Sequence, residues 1–130
     1  KPELHLKRNG NMLKGVMALK YSNIEHDTPS IVDMKRNYRL IYKASQIACK
    51  AMINEKLDQL ADAVRLSYEV QLDEGMNQLL EADNCIAQKY CGGGWGGYAL
   101  YLFSSNSDRE KFIDHNTQVT PIEPFMNNFL

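Results

Sequence analysis

The hydrophobic positions of this chain change period along its length, and the changes divide it into helical and extended parts. Ile31, Met34, Tyr38, Ile41, Ser45, Ala48 and Met52 recur every three or four residues, which predicts an amphipathic helix opened by Thr28-Pro29 with an N-cap at Ser30. Asn54 and Glu55 interrupt the stripe. Leu57, Leu60, Ala61, Val64, Tyr68 and Leu72 then carry a second helix to a stop near Gly75. So short a link predicts antiparallel packing of the two into a hairpin. Helical spacing returns at Leu79, Leu80, Ala82, Cys85, Ile86 and Ala87, whereas the aromatic-rich run from Tyr98 to Phe103 reads as a strand.

The flanks are read in the same way. Asp108 to His115 predicts a short helix capped by Ser107, and Val119 to Ile122 an extended segment ending near Pro121 and Pro124. Before the hairpin, Leu4, Leu6, Val16, Ala18, Leu19 and Tyr21 supply one or two strands, with Asn9-Gly10-Asn11 as a turn. The expected order is strand, two or three helices, strand, helix, strand. That order predicts an α+β domain, a small antiparallel sheet with the helical hairpin and further helices on one face.

Length and charge narrow the picture. The 130 residues are read as one domain with one continuous core. Fifteen Lys and Arg against sixteen Asp and Glu leave a net charge of −1, so no global field recruits nucleic acid or an anionic membrane. No apolar run approaches the roughly 18 residues of a membrane span, and the start at Lys1 without Met suggests a processed or excised chain. Cys49, Cys85 and Cys91 show no C-x-x-C or Cys/His metal spacing, so they are read as free buried thiols of a reducing, cytoplasmic protein, with Cys49 and Cys85 on apolar helix sides. His5, His26 and His115 are scattered and carry no assigned chemistry; Met34 and Met52 are core filler, and Lys35, Arg36, Arg39 and Lys43 a solvated basic side of the first helix.

The strongest chemical signal is Cys91-Gly92-Gly93-Gly94-Trp95-Gly96-Gly97, five glycines in the six positions after the cysteine. Glycine visits positive φ freely and lets another backbone or a ligand come close, at a high entropic cost. A dinucleotide or Walker loop runs from strand through glycine into a helix. Here the expected order is helix, loop, strand, so neither nucleotide motif fits, and a dinucleotide-dependent oxidoreductase is disfavoured.

Lys89-Tyr90-Cys91-Gly92-Gly93-Gly94-Trp95-Gly96-Gly97-Tyr98 resembles the third signature motif of the GHMP small-molecule kinases, most of all the sugar and heptose-phosphate kinase branch. Gly92, Gly94, Gly96 and Gly97 stand where that family has glycine, Gly93 where it has alanine, and Trp95 replaces a glycine. The resemblance covers about the last two-thirds of the chain, and no Gly-Leu-Gly-Ser-Ser phosphate loop occurs in it. It implies a ferredoxin-like C-terminal kinase domain whose N-terminal catalytic, ATP-binding domain is absent from this chain, with no catalytic residue and no metal ligand here. Gly92, Gly93, Gly94, Trp95, Gly96 and Gly97 would form the loop bordering nucleotide and substrate, with Lys89 as neighbour. ATP and Mg2+ would act in the full-length enzyme without binding tightly to this chain, and the isolated chain would be inactive. The implied partners are the N-terminal kinase domain, a sugar or sugar phosphate, and a second copy through an exposed interdomain surface. The alternative is a non-catalytic α+β ligand-binding or interaction module whose glycines serve only a tight turn.

Overall fold

The computed structural model describes residues 11–24 and 36–124. Within them lie β1 (Met17–Tyr21), α1 (Tyr38–Asn54), α2 (Leu57–Asp73), β2 (Cys85–Tyr90), β3 (Tyr98–Phe103), α3 (Asn106–His115) and β4 (Val119–Ile122). The four strands form one antiparallel sheet in the order β2-β3-β1-β4. The α+β class and small antiparallel sheet expected from the sequence are present.

Local chemistry explains most of the element ends. Asn37 caps α1, its Oδ1 accepting the Leu40 N–H at 3.1 Å. The helix therefore starts at Tyr38; the expected start at Pro29 and Ser30 lies outside the described residues, as do Leu4, Leu6, Asn9-Gly10, His5, His26, Met34 and Lys35. At the other end Glu55 turns left-handed, φ 54°, and Lys56 N–H bonds the Ala51 carbonyl at 2.9 Å, which closes α1 before α2 begins. Arg36 bonds Glu74 at 3.3 Å and so joins the two distant ends of the hairpin. For α3 the cap is Ser105 and not Ser107: Ser105 is extended and its Oγ accepts the Asp108 N–H at 3.2 Å, so the helix starts at Asn106.

The larger correction concerns residues 79 to 90. Their helical spacing is a coincidence of composition, for Leu79 is buried while Leu80 is half-exposed, and Asn84 adopts φ 62° in a turn. From Cys85 the chain pairs with β3, Gln88 opposite Tyr101 and Tyr90 opposite Ala99. The gain from pairing an otherwise open β3 edge outweighs a weak local preference for helix. The glycine run thus joins two strands. Cys85 sits on a strand and Cys49 is exposed on α1, against the expectation of buried helical thiols; all three cysteines are free.

Packing follows the alternation of β3. Ala99, Tyr101 and Phe103 gather with Ala18, Tyr90, Met76, Leu79 and Phe112 of α3, whereas Leu102 gathers with Met17, Ala87 and with Ala61 and Val64 of α2. The hairpin and α3 therefore meet opposite faces of the sheet, and the helices are shared between both faces and do not all occupy one. α2 also leans over the edge strand β2, where Arg65 donates to the Ile86 carbonyl. Arg109, buried in α3, ties β1 to β4 through the Met17 carbonyl at 3.2 Å and Glu123 at 2.9 Å. Arg39 and Lys43 face solvent as expected, Met52 is half-buried, and Tyr38 and Tyr42 stand 70% and 64% exposed on the outer side of α1.

Candidate functional site

The glycine loop is the tip of the β2–β3 hairpin. Cys91 N–H bonds the Tyr98 carbonyl at 3.0 Å and closes the ladder, and within the loop Gly94 N–H returns to the Cys91 carbonyl at 3.1 Å. Gly92, Gly94, Gly96 and Gly97 have φ of 57°, 78°, 105° and 76°, a left-handed run that side chains resist, and Trp95 at φ 63° joins them. The far end of the loop is gripped by the chain leaving β1: Gly97 N–H donates to the Ile24 carbonyl and Ser22 N–H to the Gly97 carbonyl, both at 2.8 Å.

The glycines serve different ends. A Cβ on Gly94 would lie 2.5 Å from Sδ and Cε of Met76, so its bareness admits a core side chain of the same domain. Trp95 is half-buried in that core, its ring edge 3.3 Å from where a Cβ on Gly75 would stand. Gly92 and Gly93 are exposed, and a Cβ on either would meet nothing within 4 Å. Gly93 also has no left-handed φ, so the loop's fold does not demand glycine there. The loop is followed by a strand, so its amides do not cap a helix and no helix dipole acts at it.

Lys89, in β2, and Cys91, just after it, are close enough to interact electrostatically. Burial lowers the Lys89 pKa, with the Cys91 charge opposing, and burial raises that of Cys91, with the Lys89 charge opposing. The thiol is thus held protonated. Among the described residues no group of three His, Cys, Asp or Glu could hold a metal ion, and no helix is long and apolar enough to cross a membrane.

A second feature adjoins the loop. A cavity of about 140 Å3 lies between the end of β1, the segment after α2 and the β2–β3 pair, walled by Lys20, Ser22, Gln78, Leu79, Tyr90 and Tyr101. Lys20 is 7% exposed, and among the described residues its Nζ donates to the Tyr21 and Thr117 carbonyls alone, at 3.4 and 3.3 Å. The phenols are already committed, Tyr90 to the Asn77 carbonyl and Tyr101 to that of Leu80, each at 2.8 Å; burial raises the Tyr101 pKa further, so its proton stays on. No motif in the sequence points to Lys20. The available signal was its place in Val16, Ala18, Lys20, the alternate positions that otherwise carry apolar residues.

The structure brings all of the motif's residues to one hairpin but separates their surroundings: Gly94, Trp95 and Gly96 turn toward the core, while Gly92 and Gly93 face out. No protein-family model matches this chain, and no curated protein is significantly similar to it.

Proposed function

We propose that this chain is the C-terminal lobe of an ATP-dependent sugar or sugar-phosphate kinase of the GHMP type, to which it contributes the glycine hairpin and part of the acceptor pocket. The observation that carries the reading is the exposed, unfilled backbone of Gly92 and Gly93 at the tip of a hairpin whose sequence resembles the family's third motif. Core packing accounts for Gly94 and leaves Gly93 without an internal purpose; contact with a second body supplies one. The strand order β2-β3-β1-β4 is compatible with a ferredoxin-like sheet, although α3 lies on the face opposite the helical hairpin.

In such an enzyme phosphoryl transfer rests on positioning and charge stabilisation. This lobe would press the bare Gly92-Gly93 backbone against the phosphate loop of the catalytic lobe, where ATP would supply the phosphoryl group and Mg2+ would shield its charge. The metal's ligands would come from the other lobe. Tyr38 and Tyr42, exposed on α1, suit burial against that lobe or a second copy. The test is ATP-dependent phosphorylation by the intact polypeptide across hexoses, heptoses and their phosphates, read as ADP release. Turnover with one of them supports the reading; none across the panel removes it.

Two observations favour the alternative of a non-catalytic ligand-binding module: Gly94 is occupied from within by Met76, and a cavity with a buried cation lies beside the loop. A module of that kind binds a small molecule with no turnover of ATP.

A further inference from the structure

We infer that the cavity beside Lys20 is a binding site for a small organic monocarboxylate. The ammonium is its defining feature. A buried cation is stable only when paired or well hydrogen-bonded, yet Lys20 meets two carbonyl oxygens at the long end of the hydrogen-bond range and no carboxylate among the described residues. Its side chain lines the cavity, so an anion entering there would complete the pair and supply acceptors for the donors that the carbonyls satisfy poorly.

The walls select the class of anion. They also include Leu79, Ala99, Tyr90 and Tyr101, an apolar surface suited to a short carbon chain, while Ser22 and Gln78 add neutral polar groups. One positive charge matches one negative charge. A dianion such as phosphate would bury a second charge against apolar rings with no cation to meet it, which is costly. Volume sets the length: a cavity of about this size holds a molecule as large as benzene, so acids of roughly two to five carbons fit. The cavity would bind such an acid whether or not the glycine hairpin belongs to a kinase.

The probe is butyrate added to the intact protein, with the Lys20 side-chain Nζ and Cε resonances followed by NMR alongside thermal unfolding. Millimolar butyrate should move the Lys20 resonances in a saturable way, and at tenfold excess over Kd raise Tm by on the order of 5 °C. Inorganic phosphate at the same concentration and ionic strength should do neither. Lys20→Met should weaken butyrate binding at least tenfold. Absence of any saturable Lys20 shift in the native protein overturns the site, as does an equal rise in Tm for the Met variant or a preference for phosphate. If Lys20→Met does not fold, the resonances of the native chain decide alone.

Discussion

Gln71 binds the backbone of Tyr90 as a neighbouring strand would: its Oε1 accepts the Tyr90 N–H at 2.9 Å and its Nε2 donates to the Tyr90 carbonyl at 3.1 Å. One side chain from α2 thus seals the open edge of β2 immediately before the glycine loop. Gln71 is buried, so water cannot readily replace it. Gln71→Leu keeps the volume and strands both backbone groups, and should lower stability by about 2–4 kcal/mol. Gln71→Ala would add a cavity and cost more. Urea unfolding measures both, and a midpoint unchanged in the Leu variant would show that the pairing contributes nothing.

Gly94 and Met76 form the second tight pair. Gly94→Ala places a methyl group on Met76 and a Cβ at φ 78°, and should destabilise by about 1–3 kcal/mol. Shortening the partner should relieve part of that loss. Met76→Ala alone costs about 2–4 kcal/mol as a core truncation, but the double variant should be more stable than the sum of the two by about 1 kcal/mol. Strict additivity in denaturant melts would mean that backbone strain alone sets the cost at Gly94.

Much of this was legible in the sequence, and what was not has identifiable physical causes. The stripe from Leu57 to Leu72 and the break at Asn54-Glu55 mark the hairpin because helix period and helix-stop chemistry are local. Tyr98 to Phe103 and Val119 to Ile122 are strands as read, with Pro121 tolerated on the edge strand β4. β2 was not legible: Cys85-Ile86-Ala87 fits a helix or a strand, and only pairing with β3 across the glycine loop decides. The glycine run is legible as a place where something comes close. That the neighbour of Gly94 is Met76 depends on where α2 ends, which no spacing within the loop reveals. The burial of Lys20 is not legible because a lone lysine in a strand is ordinarily solvent-facing.

Glu123 gives the fold an acid-sensitive contact. A hydrogen bond from Gly15 N–H at 2.9 Å, and then those from Arg109, hold its carboxyl below the usual glutamate range. Because the folded pKa is depressed, the stabilisation is complete above the unfolded value of about 4.3 and is lost as pH falls through the lower folded value. Stability should therefore decline below about pH 4.3, and Glu123→Gln should flatten that part of the profile while leaving its slope above pH 6 unchanged. The effect should shrink in high salt, since the carboxylate is exposed. Parallel urea melts from pH 3 to 7 make the comparison, and profiles that coincide for the two proteins would assign the acid sensitivity elsewhere.

Gly93 and Gly94 adjoin, and valine at each should separate the functional from the structural glycine. Gly94→Val meets Met76 and a left-handed backbone, so it should lower stability and, with it, the amount of folded protein. Gly93→Val meets nothing within 4 Å and requires no positive φ, so its stability should stay within about 0.5 kcal/mol of the native protein's. If the tip of the hairpin abuts a catalytic lobe, a branched side chain there displaces that contact, and turnover by the intact polypeptide should fall by a factor of 10² or more, since misplacement of about 1 Å costs that much. The same chain would then be folded and nearly inactive, whereas Gly94→Val would retain per-molecule activity only as far as it still folds. Specific activity per folded molecule, taken from turnover beside circular dichroism, is the quantity to compare. Native-like turnover in Gly93→Val would place the tip of the loop outside the working surface of any kinase.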